Sequence, residues 1–215
     1  MPVKDKTKEM VTRSYQAEVR AENSQEGNII IGRPIVYDTK TDLGWFDEVI
    51  VKGALDKADL EDVLFFVNHD INKIPLARSR RNNENSTMKL KVDDKGLEIR
   101  AELDVENNTE AKNLYSAIKR GDITGMSFMF QIDSERWEDL ESEHPTRFVE
   151  KISIVREVSA VCFPAYPTTE INARDKVALD NAKRVLDNTR AELDNSLKDA
   201  LALEKEKIKY LYGGK

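Results

Sequence analysis

The chain has 215 residues, 40% of them hydrophobic, with a formal net charge of −6, enough apolar material for one ordinary domain and an appendage. The acidic balance argues against a general nucleic-acid binder, whose phosphate contacts need a basic surface. One cysteine excludes an internal disulfide or a cysteine-based zinc site, two histidines exclude a histidine-rich one, and no apolar run is long enough to cross a bilayer.

The opening MPVKDKTKEM is too charged to hold the apolar middle of a signal peptide, so a cytoplasm-like compartment is expected. Alternation in YQAEVRA and the β-branched IIIG and IVY predict two strands within residues 11–37, kinked or edged at Gly32-Arg33-Pro34. FDEVIVKGAL leads to KADLED, a short polar helix candidate, and then to VLFFVNHD, a buried strand ending at His69. The cluster Arg78, Arg80 and Arg81 precedes NNENS and reads as a solvated loop. MKLKVDDKGLEIRAELDV carries alternation on both sides of a DDKG turn, the pattern of a hairpin.

NNTEAKNLYSAIKR, residues 107–120, predicts a helix capped at Asn108 or Thr109, with Ala111, Leu114, Ala117 and Ile118 on one face and Gly121 as its stop. ITGMSFMFQI is then a strand, DSERWEDLESEHPTR a surface loop or strand pair, and FVEKISIVREVSAVCFPAY one or two strands before the turn-rich PAYPTT. Residues 175–212 lack glycine and proline and form a long amphipathic helix; Lys207 interrupts the seven-residue series Leu186, Leu193, Ala200, against a regular coiled coil. The fold class is α+β, mostly antiparallel β with a helix or two over residues 1–174, and so many short strands suggest a barrel, closed or partly open, or a sandwich; a helical tail follows over 175–215. The tail can pack on its own domain or serve oligomerisation.

Ser127 stands out because Met126 and Phe128 flank it in a run made for a buried strand, where a hydroxyl has little structural use. A hydroxyl becomes a nucleophile when a nearby base takes its proton, and histidine is best suited near neutral pH. His69 ends a strand, at a rim where a cleft forms, whereas His144, in ESEHPT, reads as surface. Asp70, Asp122, Glu150 and Glu157 are candidates to fix the imidazole tautomer. Glu157 is the most conspicuous, since a carboxylate within ISIVREVSAVCF must be paired if it faces inward; the bland alternative puts Arg156 and Glu157 in a bulge or a solvent-facing row. Cys162 reads as a small buried hydrophobe.

The succession RSYQAEVRAEN, FDEVIVKGAL, FFVNHD, IPLARS, DDKGLEIRAEL, GDITGMSFMFQI and REVSAVCFPAYPTTEI resembles the prohead maturation proteases of tailed bacteriophages, over roughly residues 12–174. The resemblance implies a cofactor-free serine endopeptidase with a fold similar to the herpesvirus assemblins. It implies Ser127 as nucleophile, His69 as general base and, through the EVS block, Glu157 as third member. It implies as substrates the scaffolding segment of the major capsid protein, or a separate scaffold, and the protease itself, inside the assembling prohead in the host cytoplasm. A homodimer is a further expectation. Arg156 and backbone amides are candidate oxyanion donors. The family pattern often has glycine where this chain has Ala77 and Met129, changes that leave nucleophile and base intact. The alternatives are a capsid scaffold or assembly factor without turnover, with Ser127 and Glu157 as satisfied core polar groups, and a metal-dependent hydrolase using His69 and Asp70.

Overall fold

The computed structural model describes residues 10–24, 27–162 and 173–212. In chain order the strands are β1 (Met10–Gln16), β2 (Val19–Ser24), β3 (Gly27–Val36), β4 (Thr41–Asp42), β5 (Asp47–Ile50), β6 (Leu64–Val67), β7 (Ala77–Arg78), β8 (Met88–Asp93) and β9 (Gly96–Leu103). Helix α1 (Thr109–Arg120) leads to β10 (Gly125–Glu138) and β11 (Thr146–Val161), and helix α2 (Ala173–Tyr212) follows. The chain divides into two compact units, Met1–Asp175 and Lys176–Lys215.

The first unit is mostly β, in two sheets, the larger of mixed direction and the smaller antiparallel throughout. A seven-stranded sheet runs β1-β10-β11-β5-β4 with β6 and β7 attached at β11, and a four-stranded sheet runs β2-β3-β9-β8. Neither sheet closes into a barrel among the described residues, and the antiparallel expectation needs correction at two pairs of the larger sheet. β5 and β6 both run parallel to β11, whose 16 residues give each of them a separate stretch of edge.

Local chemistry explains most elements. The expected hairpin is β8 and β9, joined through Asp94 and Lys95, with Gly96 at φ +134 where an added Cβ would fall 2.0 Å from the Ile35 carbonyl oxygen. The early segment forms three strands where alternation suggests two, because YQAEVRA is divided at Ala17-Glu18, β1 joining the larger sheet and β2 the smaller. The Gly32-Arg33-Pro34 kink is a register shift of β3 against β9. KADLED is not helical: Asp59 N–H donates to the Ser153 carbonyl at 2.8 Å and Val155 N–H to the Asp59 carbonyl at 3.1 Å, so pairing with β11 overrides the local propensity. The acidic stretch after β10 is a strand pair, β10 continuing to Glu138 opposite Thr146. In α1, Asn108 Oδ1 accepts from the amides of Glu110 and Ala111, and Gly121 ends the helix at φ 81, as the caps predict. The PAYPTT turn lies outside the described residues.

The core of this unit is built from Ile30, Ile35, Phe46, Phe65, Ile99, Phe128 and Phe130, all fully buried. Each such side chain contributes about 1.5–3 kcal/mol by leaving water. Gly32 has a specific role: a Cβ there would meet Met126 Sδ at 2.3 Å, so the missing side chain leaves room for Met126 between β3 and β10. In the second unit, α2 spans 40 residues, with Leu193, Leu197 and Leu201 exposed at four-residue spacing.

One buried ionic group ties the larger sheet together. Arg13 of β1 donates to Glu48 of β5 through Nε at 2.6 Å and Nη2 at 3.0 Å, while Arg147 of β11 reaches Glu48 at 3.3 Å and Glu135 of β10 at 2.9 Å. Burial is the largest single influence on Glu48 and opposes its ionisation, but attraction from Arg13 and Arg147 and their hydrogen bonds together outweigh it. The carboxyl is therefore held below its ordinary value of 4.5. Its stabilisation is present above that value and is lost as pH falls through the lower native one. Glu48→Gln leaves two buried guanidinium groups short of their anion and is expected to lower unfolding free energy by about 3 kcal/mol in urea at neutral pH. The difference from the unsubstituted protein should shrink as pH is taken below 4.5.

Candidate active site

β10 is flanked by β1 and β11, and the register places Ser14, Ser127 and Ser159 directly opposite one another. Cross-strand partners share a sheet face, so three hydroxyls lie in one row. Met126, Phe128 and Phe130 alternate onto the opposite, apolar face, all fully buried. Ser127 is itself fully buried, although its side chain belongs to the polar face.

Pairing is unbroken from Ser127 opposite Ser159 to Met129 opposite Glu157, so Glu157 shares the face of Ser159 by strand alternation, and a bulge adjoins it. Met129 pairs with Glu157 while Phe130 pairs with Val155, which leaves Arg156 as the extra residue on β11. Such an insertion re-aims the neighbouring side chains. Glu157 is turned inward, 2% exposed, and Arg156 is exposed. The bulge foreseen as the bland alternative is thus present, and it puts Val155 and Glu157 on opposite faces of the sheet.

His69 comes from the loop after β6. That strand runs parallel to β11 with Leu64 beside Glu157 and Phe66 beside Ser159, so both strands end at the same rim. Asn68 and His69 then take left-handed conformations, φ 51 and 57, which turn the imidazole back over the sheet. Asparagine tolerates this backbone better than most residues. Its N–H donates to the Ala160 carbonyl at 2.9 Å, and its Oδ1 accepts from Cys162 N–H at 3.1 Å. His69 N–H donates to Ser159 Oγ at 3.2 Å.

The three side chains singled out in the sequence meet here. His69 Nε2 lies 2.5 Å from Ser127 Oγ, and His69 Nδ1 contacts Glu157 Oε1. A carboxylate only accepts, so Nδ1 carries the proton and Nε2 presents its lone pair to the serine hydroxyl. Ser159 donates to the other carboxylate oxygen, Glu157 Oε2, at 2.7 Å. Ser127 Oγ also lies 2.7 Å from the Arg13 carbonyl oxygen and 2.9 Å from Ser14 Oγ. The arrangement can remove a proton from a hydroxyl and hold the resulting imidazolium against a carboxylate.

The other candidates lie elsewhere. Asp70 accepts from Asn72 N–H at 3.3 Å, Asp122 pairs with Arg120, and Glu150 pairs with Arg136 at 3.2 Å. His144 is exposed and bonds Asp47 at 3.1 Å, while Lys40 holds the same carboxylate at 3.0 Å. Cys162 is exposed, contrary to expectation, because it follows the last residue of β11 at the rim. Ala77 is in β7 opposite Phe65 with ordinary φ, so no glycine is required there. Met129 lies one step from Ser127 on the site face, between Thr12 and Glu157. A groove of about 480 Å³ runs between α1 and the loop after β6, lined by Val67, Lys73, Glu110, Leu114, Ala117 and Ile123.

Sequence reading missed Ser14, Asn68 and Ser159. Ser159 carries the same anomaly as Ser127, a hydroxyl among β-branched neighbours, and could have been found by it. Asn68 could have been read as a residue suited to a left-handed turn before His69. Nothing around Ser14 distinguishes it until the strands are paired.

The family model for caudovirus prohead serine proteases matches residues 15–184. Among solved structures, the chain is similar to the capsid assembly protease of bacteriophage T4, at 16% identity over 74% of this chain and 99% of that one, with a TM-score of 0.45. No curated protein matches the chain.

Ser159→Ala removes a donor from Glu157 and an acceptor from the His69 amide, both inside the sheet rim. It is expected to lower unfolding free energy by about 1–3 kcal/mol in denaturant titration, with Ser159→Thr recovering most of the loss.

Proposed function

Because the chain belongs to the caudovirus prohead serine proteases and is a serine protease, we propose that Ser127 is its nucleophile, His69 its general base and Glu157 the carboxylate that orients the base. One observation carries this reading: the His69 imidazole lies between Ser127 Oγ and the Glu157 carboxylate, each ring nitrogen within reach of one partner. Ser127 Oγ attacks the carbonyl carbon of a peptide bond as its proton passes to His69 Nε2. His69 returns that proton to the departing amine, and water hydrolyses the acyl-enzyme by the same route. Glu157 keeps Nδ1 protonated and stabilises the imidazolium throughout. The rigid sheet holds these groups in register, as general-base transfer requires. The groove beside α1, which Val67 helps to line two residues before His69, has room for a substrate side chain.

The substrate is the scaffolding segment of the major capsid protein, or a separate scaffold, together with the protease itself, cleaved within the newly assembled prohead in the host cell. Membership in the prohead proteases supports this. The residue 175–215 tail acts as a handle for packaging or assembly. Its support is the stripe Leu193, Leu197 and Leu201, exposed on an otherwise polar helix.

Co-expression with the adjacent capsid or scaffold protein tests the reading, with intact masses recorded in soluble and shell fractions. Discrete fragments that vanish with Ser127→Ala are expected. A chain lacking residues 175–215 should still cut but be depleted from shells. Full-length masses with both the unsubstituted chain and Ser127→Ala would favour an assembly factor without turnover.

A further inference from the structure

Ser127 Oγ has three polar neighbours: His69 Nε2 at 2.5 Å, the Arg13 carbonyl oxygen at 2.7 Å and Ser14 Oγ at 2.9 Å. The Ser127 hydroxyl has one proton, and two of these neighbours, the imine nitrogen and the carbonyl, can only accept it. The contact with Ser14 is therefore made by the Ser14 proton. Ser14 is half-buried and directly opposite Ser127 across β1 and β10, so strand pairing fixes its Cβ. Arg13, the next residue, is pinned on the other face by Glu48, which holds this part of β1 in place.

We propose that Ser14 is a further catalytic residue, whose hydroxyl stabilises Ser127 Oγ as the leaving group when the acyl-enzyme breaks down. The proposal rests on Ser127 being the nucleophile. In the acyl-enzyme Oγ is an ester oxygen and a poor acceptor. Water adds to the ester carbon while its proton moves to His69 Nε2. The C–Oγ bond then breaks, its electron pair goes to Oγ, and Oγ recovers the proton from the imidazolium. As charge grows on Oγ the hydrogen bond from Ser14 strengthens, as charge-assisted bonds do. A donor whose bond is stronger in the transition state than in the preceding ground state accelerates that step. In the resting enzyme the acceptor is a hydroxyl oxygen already bonded to Ser14, so the first attack gains less.

The test uses the purified full chain and p-nitrophenyl acetate, an acyl donor that needs no knowledge of the natural sequence preference. The initial burst of nitrophenolate reports acylation and the following linear phase deacylation. Ser14→Thr and Ser14→Val form an isosteric pair differing in the hydroxyl, and Ser14→Ala serves if valine impairs folding. The valine variant is expected to keep its burst rate within about twofold of the threonine variant and to lose about tenfold in the linear phase. Intact mass should show an acetyl group accumulating on Ser127. Equal slowing of both phases, or identical rates in the pair, would overturn the assignment. If the unsubstituted chain shows no burst beyond that of Ser127→Ala, the nucleophile reading fails first and the role of Ser14 with it.

Discussion

The parallel pairing of β6 on β11 decides where the imidazole goes. With Leu64 beside Glu157 and Phe66 beside Ser159, β6 must end level with the polar row on β11, and the next turn delivers His69 above it. A slip of one residue would send alternate side chains to opposite faces and separate His69 from both partners. The site therefore depends on a backbone register between segments some ninety residues apart, which also fixes the Asn68 clamp at Ala160 and Cys162.

This register places polar groups where a β-protein usually puts apolar ones. Ser127, Glu157 and Ser159 are all buried, and each needs partners to offset its lost hydration. They supply one another: Ser159 bonds Glu157, Glu157 bonds His69, and His69 bonds Ser127. The Arg13, Glu48 and Arg147 group solves the same problem on the opposite face, where one carboxylate lies between two guanidinium groups. The two networks meet in β1, whose Arg13 side chain enters one and whose Arg13 carbonyl enters the other. Fully satisfied networks of this kind favour one geometry over its neighbours.

Much of this was legible in the sequence because the anomalies were local. A hydroxyl in GMSFMF and a carboxylate in IVREVSAV break the apolar rule of a buried strand and single themselves out. Alternation and turn chemistry likewise disclose the β8–β9 hairpin, and capping residues disclose α1. What stayed hidden depends on pairing between distant segments. The bulge at Arg156, the pairing of Glu157 beside Ser127, the parallel run of β6, the extended path of KADLED and the position of Ser14 opposite Ser127 all follow from long-range hydrogen bonds. The expected barrel is two sheets among the described residues, since strand periodicity reveals which residues alternate and not which edges join.

The account stands on Ser127 being activated by His69, and a fluorophosphonate probe tests this most directly, because it reacts with a serine whose proton has a base to go to. Peptide mapping should place one adduct on Ser127, and His69→Ala should slow its formation by about a hundredfold or more. An adduct on another residue, or undiminished labelling of Ser127 without His69, would contradict the account.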